Sequence, residues 1–223
     1  MTATSELPRD PELPGRLLIT ERDALIPLLR ARPDADFALP TTGCPDWSVR
    51  DVLAHCSSAL MRVVENRFEE GVFSPESNDR DIADRADWPM ARIVDELERG
   101  MTEVGPVVAA SDGRHDGIAL GEWIHAGDVR EAWNEPDAYA GPALPDALTL
   151  LARLTRQYER LPLQADLDDA DEPLVLGHSD GTHPPARYLG PASALVRLYF
   201  GRSVQGASYE LVGVREDELN LFA

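Results

Sequence analysis

Length, composition and charge limit the classes of protein to which this chain can belong. Its 223 residues suffice for one large domain or two small ones, and a hydrophobic content of 43% supplies a buried core, which excludes a disordered chain. The net charge of −19, from 40 acidic and 21 basic residues, should repel nucleic acid and anionic lipid. No apolar run is long enough for a membrane span, and no signal peptide is recognisable. We therefore expect a cytoplasmic protein with its two cysteines as free thiols.

Hydrophobic periodicity predicts five helices in the larger, N-terminal part of the chain. They follow a polar arm over 1–15 and span 17–31, 48–70, 89–110, 118–133 and 145–160. Ser48 is the expected N-cap of the second helix, with Asp51 at the capping-box position and Gly71 at the end. Pro106 should kink the third helix or end it early. The polar, aperiodic segment 73–87 is expected to be a long crossover loop.

The composition changes after Leu161. The acidic run 164–172 indicates a solvated linker. Strands are predicted at 174–177, 207–212 and 219–222, with a helix over 191–200. The chain is therefore expected to be mainly α, with a helical bundle over 1–162 and a small C-terminal α/β domain over 163–223.

The fourth predicted helix carries the strongest chemical signal. Glu122, His125 and Asp128 follow one another at intervals of three, which places them in one stripe of the helix. The apolar residues around them argue against a solvated face, and buried charges must be paired or bound to metal. His55, at the edge of the apolar face of the second helix, is the candidate partner. Two histidines and a carboxylate would form a three-ligand site with open positions, which is typical of catalytic zinc.

Other candidates are weaker. His115, His178 and His183 lie in predicted loops without metal-binding spacing, so surface positions are expected. Cys44 and Cys56 are not spaced as a redox or zinc pair, and Cys56 should be core. A Ser-His-Asp triad would lack a nucleophile elbow, and no glycine-rich phosphate loop is present.

Two motifs resemble a known family. The segment Cys44-Pro-Asp-Trp-Ser-Val-Arg-Asp-Val-Leu-Ala-His55 resembles the second-helix signature of the DinB-like superfamily, and more narrowly that of the mycothiol-dependent maleylpyruvate isomerases. The segment Trp123-Ile-His-Ala-Gly-Asp-Val-Arg130 resembles the helix that supplies the remaining metal ligands in that family. The tail, with Gly190-Pro-Ala-Ser-Ala-Leu195 and Gly201-Arg202, is similar to the family's small C-terminal domain.

The resemblance implies a DinB-like four-helix bundle that holds a divalent metal, usually zinc, with nickel as the alternative. His55, Glu122 and His125 would be its ligands, and Asp128 would orient His125 or act as a catalytic base. The metal would bind a low-molecular-weight thiol such as mycothiol, and the thiolate would add to an electrophilic small molecule, giving isomerisation or S-transfer. The expected partners are that substrate and that thiol, in a monomer or homodimer.

One departure leaves the third ligand open. The family's carboxylate lies four residues before the histidine, and this position is Gly121 here. Glu122 can replace it, as can Asp128, and Asp51 can serve as a ligand or as the partner of His55. Two other functions stay open: a metal-dependent hydrolase on the same fold, and a non-catalytic, metal-free bundle that binds a small molecule or partner.

Overall fold

The computed structural model describes residues 9–68, 74–179, 181 and 184–221, and seven α-helices and four β-strands lie within them. The helices are α1 (Leu13–Ala31), α2 (Val49–Val64), α3 (Pro75–Ala83), α4 (Met90–Ala110), α5 (Asp116–Ala132), α6 (Leu144–Gln157) and α7 (Ala192–Tyr199). The strands are β1 (Leu163–Leu167), β2 (Leu174–Leu176), β3 (Ala186–Gly190) and β4 (Glu210–Val212). The prediction of a mainly α protein with a small C-terminal α/β part is confirmed.

Four long helices form the bundle. Helices α1 and α2 each contact both α4 and α5, so the four enclose a common core. Helix α2 begins at the predicted capping box, in which the Ser48 hydroxyl accepts a hydrogen bond from the Asp51 backbone and the Asp51 carboxylate accepts one from the Ser48 backbone. Helix α6 packs outside the bundle against α1 and α5. The bundle therefore places the two motif helices, α2 and α5, side by side.

The predicted crossover loop over 73–87 is wrong, because this segment contains helix α3. Ser74 caps it by accepting a hydrogen bond from the Ser77 backbone N–H. The buried face of α3 is polar, and Asp81 on that face forms a buried ion pair with Arg62 of α2. Helices are recognised in a sequence by apolar residues that recur every three or four positions. Helix α3 lacks that pattern, because polar residues form its buried face. Phe73 lies outside the described residues.

Two predictions in the C-terminal third are also wrong. The predicted linker over 164–172 begins instead with strand β1, which buries Leu163, Ala165 and Leu167 at alternate positions. A strand this short gives too few alternations to stand out in an acidic run. The predicted last strand over 219–222 does not form within the described part of that segment, where Leu221 donates a backbone hydrogen bond to the Tyr199 carbonyl instead. Phe222 lies outside that part.

The C-terminal sheet has the strand order β2-β1-β3-β4. Strand β1 pairs in parallel with β3, whereas the two edge strands are antiparallel to their neighbours. Strand β3, which the sequence analysis missed, alternates buried and exposed positions like β1. Apolar residues of the sheet and of the bundle belong to one buried core. The change from helices to strands occurs at Leu163, and the division into two domains at that point stays a prediction.

The helix ends differ in a few places from those predicted. Helix α2 ends at Val64 rather than near Glu70, since Asn66 adopts a left-handed conformation with φ of 53°. The predicted stop at Gly71 lies outside the described residues, as does most of the predicted N-terminal arm. Helix α4 continues through Pro106 to Ala110. Within the described residues, no helix combines the length and apolar character that crossing a membrane requires.

Candidate functional site

A cavity of about 830 Å³ brings together the three predicted metal ligands. His55 from α2 and both Glu122 and His125 from α5 line it. Gly121 also lines it, and a Cβ atom built at that glycine would meet no heavy atom within 4 Å apart from its chain neighbours and the backbone of its own helix. The C-terminal part contributes Arg202 to the same wall. The cavity is therefore bounded by both motif helices and by the segment after α7.

His55 and His125 approach each other at the cavity wall. Their ring centroids are 5.4 Å apart, with an angle of 83° between the planes, and the ring of Trp47 lies 5.1 Å from that of His55. The Nδ1 atom of His55 is buried and has no hydrogen-bond partner in the described part of the chain. Burial and the neighbouring His125 lower the pKa of His55 to about 3, so the ring is neutral near pH 7. A neutral imidazole with an unused nitrogen is the metal-binding form of histidine.

Asp128 is fully buried and accepts hydrogen bonds from four side chains, the longest of them from the Cys44 thiol at 3.8 Å. Its Oδ2 lies 3.0 Å from His125 Nδ1 and 2.7 Å from Arg202 Nη2, and its Oδ1 accepts from Tyr139 Oη at 2.8 Å and Arg202 Nε at 3.0 Å. Burial raises the pKa of Asp128, but the hydrogen bonds from His125 and Arg202 outweigh it and hold the pKa well below the usual value. An ionised carboxylate can only accept, so Nδ1 of His125 carries the proton and Nε2 is left free to bind a metal.

Two glycines allow this network to close. A Cβ atom at Gly43, in the loop before α2, would overlap Asp128 Oδ1 and lie 2.7 Å from Arg202 Nε. A Cβ atom at Gly127 would overlap the ring of Tyr139. Because these positions carry no side chain, the loop backbone and the tyrosine ring can reach the buried carboxylate. Gly127 lies inside the motif on α5, so the motif provides both the ligand candidates and the space for their partner.

Glu122 is buried without a cationic partner in the described part of the chain, with 5% of its surface exposed. Burial raises the pKa of its carboxyl group to about 8, since this effect exceeds the lowering by the hydrogen bond with Cys56. The carboxyl group is therefore mainly protonated at pH 7 in the metal-free protein. A divalent cation nearby would favour the ionised form and remove this desolvation cost.

The closest cluster of ligand atoms differs from the predicted set. Among the described residues, the three groups whose ligand atoms all lie within 4.8 Å of one another are Cys44, His125 and Asp128. Cys44 Sγ lies 4.0 Å from His125 Nδ1 and 3.8 Å from Asp128 Oδ2. However, both lone-pair regions of Asp128 already receive strong donors, which argues against this cluster as the metal centre. The assignment of His55, Glu122 and His125 as ligands stays a prediction.

Sequence reasoning missed three residues of this site: Cys44, Tyr139 and Arg202. Tyr139 is 11 residues after Asp128 and Arg202 is 74 after it, so no helical spacing connects them to it. The segment Gly201-Arg202, noted for its resemblance to the family, was the available signal for one of them.

The structure also places three residues weighed from the sequence. The predicted surface residue His115 is half-buried and lines the cavity, which corrects that expectation, whereas His178 is exposed as predicted and His183 lies outside the described residues. Asp51 is engaged in the α2 capping box, and the Nδ1 of His55 has no partner, so Asp51 does not orient His55. Cys44 and Cys56 are free thiols, and Cys56 is buried, as predicted.

A family model and two solved structures that resemble this chain all represent mycothiol-dependent maleylpyruvate isomerases. Residues 18–192 match the family model described as the mycothiol maleylpyruvate isomerase N-terminal domain. The crystal structure of a mycothiol-dependent maleylpyruvate isomerase is similar to this chain with a TM-score of 0.55 at 17% identity, covering 97% of this chain and 98% of that one. A histidine-to-alanine mutant of such an isomerase gives the same TM-score and coverage at 16% identity. At these identities the structural likeness concerns the fold alone, and no curated protein matches the chain.

Proposed function

Because the chain belongs to the mycothiol maleylpyruvate isomerase N-terminal domain family, we propose that it is an enzyme that uses a divalent cation and a low-molecular-weight thiol, with mycothiol as the first candidate. Its substrate would be an electrophilic small molecule. The enzyme would either isomerise this molecule or join the thiol to it through sulfur, which is S-transfer. The observation that carries this proposal is the buried, unpartnered Nδ1 of His55 beside the ring of His125. An orphaned buried nitrogen is costly unless a ligand completes it.

Three side chains supply the donor types that a cation at this point needs, although among the described residues their ligand atoms do not all lie within 4.8 Å of one another and would have to move closer on binding. His55 offers a neutral imidazole, His125 offers Nε2, and Glu122 offers a carboxylate that lacks a cationic partner in the described chain. Two imidazoles and one carboxylate form a borderline donor set, which suits zinc, with nickel as the alternative. A bound cation of this kind supplies the acidity that converts a thiol into its thiolate at neutral pH.

Asp128 fits an orienting role better than the role of a catalytic base. A base must take up a proton during the reaction, but Asp128 has a strongly depressed pKa and no exposed surface. The same carboxylate fixes the Nδ1–H of His125 and thereby the direction of Nε2. We therefore assign Asp128 as a positioning residue that acts through His125.

The reaction of the thiolate with the electrophile requires no oxidant. The thiolate adds to a carbon–carbon double bond conjugated to a carbonyl group, so that a C–S bond forms and the π electrons move to the carbonyl oxygen. The former carbon–carbon double bond is now single and can rotate. Loss of the thiolate then restores the double bond with the opposite cis–trans geometry. Protonation of the adduct instead gives a stable thioether, which is the S-transfer outcome. The largely apolar cavity would keep bulk water from competing for the electrophile.

The proposal places the protein in the cytoplasm, where reduced thiols are available and disulfides are rare. Its two free cysteines fit that compartment. Whether it works as a monomer or as a homodimer stays a prediction. The main alternative is a non-catalytic, metal-free binding protein, and the feature that favours it is Gly121, which leaves the family's carboxylate position without a side chain.

The first test is elemental analysis of purified protein after zinc is added and the excess removed. We expect about one zinc per chain, with a large loss in His55→Ala and full retention in the control His178→Ala, which changes an exposed histidine outside the cavity. Protein without stoichiometric metal would refute the metal site and favour the binding protein.

The second test is turnover of maleylpyruvate with and without mycothiol. Turnover that requires the thiol supports the proposal, whereas metal-dependent hydrolysis without thiol would establish the hydrolase instead.

A further inference from the structure

The outer end of the cavity contains a second group of side chains that the proposed metal site does not use. Phe68 and His115 stack with ring centroids 4.5 Å apart and 6° between their planes. Both line the cavity, and 36% of the surface of Phe68 is exposed, which places this pair toward the mouth. Arg114 lines the cavity beside them, and its Nε donates a hydrogen bond to the Ser111 carbonyl at 3.0 Å. That bond anchors the side chain at one edge of its guanidinium group.

The charge on the cavity wall is opposite to that of the chain. In a chain with 40 acidic residues, Glu122 is the one acidic residue on the described wall, which also carries two arginines and three histidines. Arg202 is paired with Asp128. Arg114 has no carboxylate partner within the described part of the chain and is thus the cation on this wall that an anionic ligand can use.

We propose that Arg114 binds the carboxylate of a flat, conjugated carboxylic acid, whose unsaturated part lies against the Phe68–His115 pair. The planar guanidinium group matches a carboxylate in geometry and charge. A stacked aromatic pair offers a flat face to a conjugated ligand. Burial and the charge of Arg114 lower the pKa of His115, which keeps this ring neutral and suited to stacking. The identity of this acid as a substrate rests on the proposed function, but its binding does not require the metal or the thiol.

Binding of trans-cinnamate and of its neutral analogue cinnamamide tests this proposal by calorimetry. We expect the native protein to bind cinnamate at least about tenfold more tightly than the amide. Arg114→Gln should weaken cinnamate binding by about tenfold and change amide binding less than about twofold. Arg99→Gln is the charge-matched control, because Arg99 is an exposed residue of α4 outside the cavity, and it should change neither. Phe68→Leu should weaken both ligands to a similar degree.

Each measurement is made on protein as purified and again after chelation, so that a carboxylate bound to a cation is separated from one bound to arginine. Equal affinities for acid and amide in the chelated native protein would overturn the proposal, as would an Arg114→Gln variant with native cinnamate affinity. Loss of cinnamate binding in Arg202→Gln but not in Arg114→Gln would place the carboxylate at the inner end and would also overturn it. Arg114→Gln should retain the native metal content, so failure of this subsite and failure of the metal site remain distinguishable.

Discussion

Glu122→Gln should change how the stability of the metal-free protein depends on pH. In the folded protein the pKa of Glu122 is raised from 4.5 to about 8, with burial as the main cause. A glutamine has the same shape and does not titrate. The substitution therefore removes one buried titration and leaves the packing of α5 nearly unchanged.

The sign follows from proton linkage. Between pH 4.5 and about 8 the unfolded chain has released the proton of Glu122 while the folded chain retains it, so the free energy of unfolding falls as the pH rises through this window. At ~1.4 kcal/mol per pKa unit, the full shift corresponds to roughly 5 kcal/mol, as an upper bound. Between pH 5.5 and 7.5 the stability of the native protein relative to Glu122→Gln should fall by about 2–3 kcal/mol.

Urea unfolding at several pH values, in the presence of a chelator, measures this difference. The other acidic residues titrate alike in the two proteins, so their contributions cancel. Glu103→Gln, at an exposed carboxylate on α4, is the control and should give a constant difference across the same range. If the difference in free energy of unfolding between Glu122→Gln and the native protein is the same at every pH, Glu122 is not a buried neutral carboxyl group. The inference that this group would bind a cation would then also be refuted.

Other predictions concern the zinc affinity of the site and the stability of the helices that carry it. Asp128→Asn should lower zinc affinity by about 10–100-fold, measured by competition with a chromophoric chelator, because the Nδ1–H of His125 loses its ionised acceptor; unchanged affinity would contradict the orienting role. Gly121→Glu should fold and bind zinc at least about tenfold more tightly, since its side chain enters open space next to the histidines. Gly127→Ala should destabilise the protein by about 1–3 kcal/mol in chemical unfolding, because the new methyl group overlaps the ring of Tyr139. Ser48→Ala should cost about 1 kcal/mol in the same assay through loss of the cap, and a cost near zero would contradict the capping box.

The parts of the fold that could be predicted were those encoded over short spans of sequence. The capping box of α2 and the spacing of His125 and Asp128 on α5 depend on residues within one turn, so they could be predicted from the sequence alone. Helix α3 was missed because its buried face pairs charges, as Asp81 does with Arg62. Strand β1 was missed because the acidic composition of its segment masks the alternation.

The parts of the site that could not be predicted depend on contacts between distant segments. Cys44 lies in a loop and Arg202 follows the last helix, yet the two meet with a separation of 3.6 Å between Arg202 Nη2 and Cys44 Sγ. Glu122 illustrates a different limit. Its one-residue shift from the family's position changes its direction on the helix by about 100°, and only the structure shows that it still lines the cavity.

The arrangement around Asp128 implies that the C-terminal part controls the orientation of His125, a proposed metal ligand on the bundle. Arg202 belongs to the segment after α7 and supplies two of the five side-chain hydrogen bonds to the Asp128 carboxylate on α5. Tyr139 also bonds Glu131, which is paired with Arg197 of α7, so a second contact connects the same two parts. A buried carboxylate that loses such partners would gain a proton or rotate, because its desolvation would no longer be offset. His125 would then lose its fixed tautomer. Helix α7 and the segment after it therefore do more than enclose the cavity, since the direction of a proposed metal ligand depends on how they pack against α5.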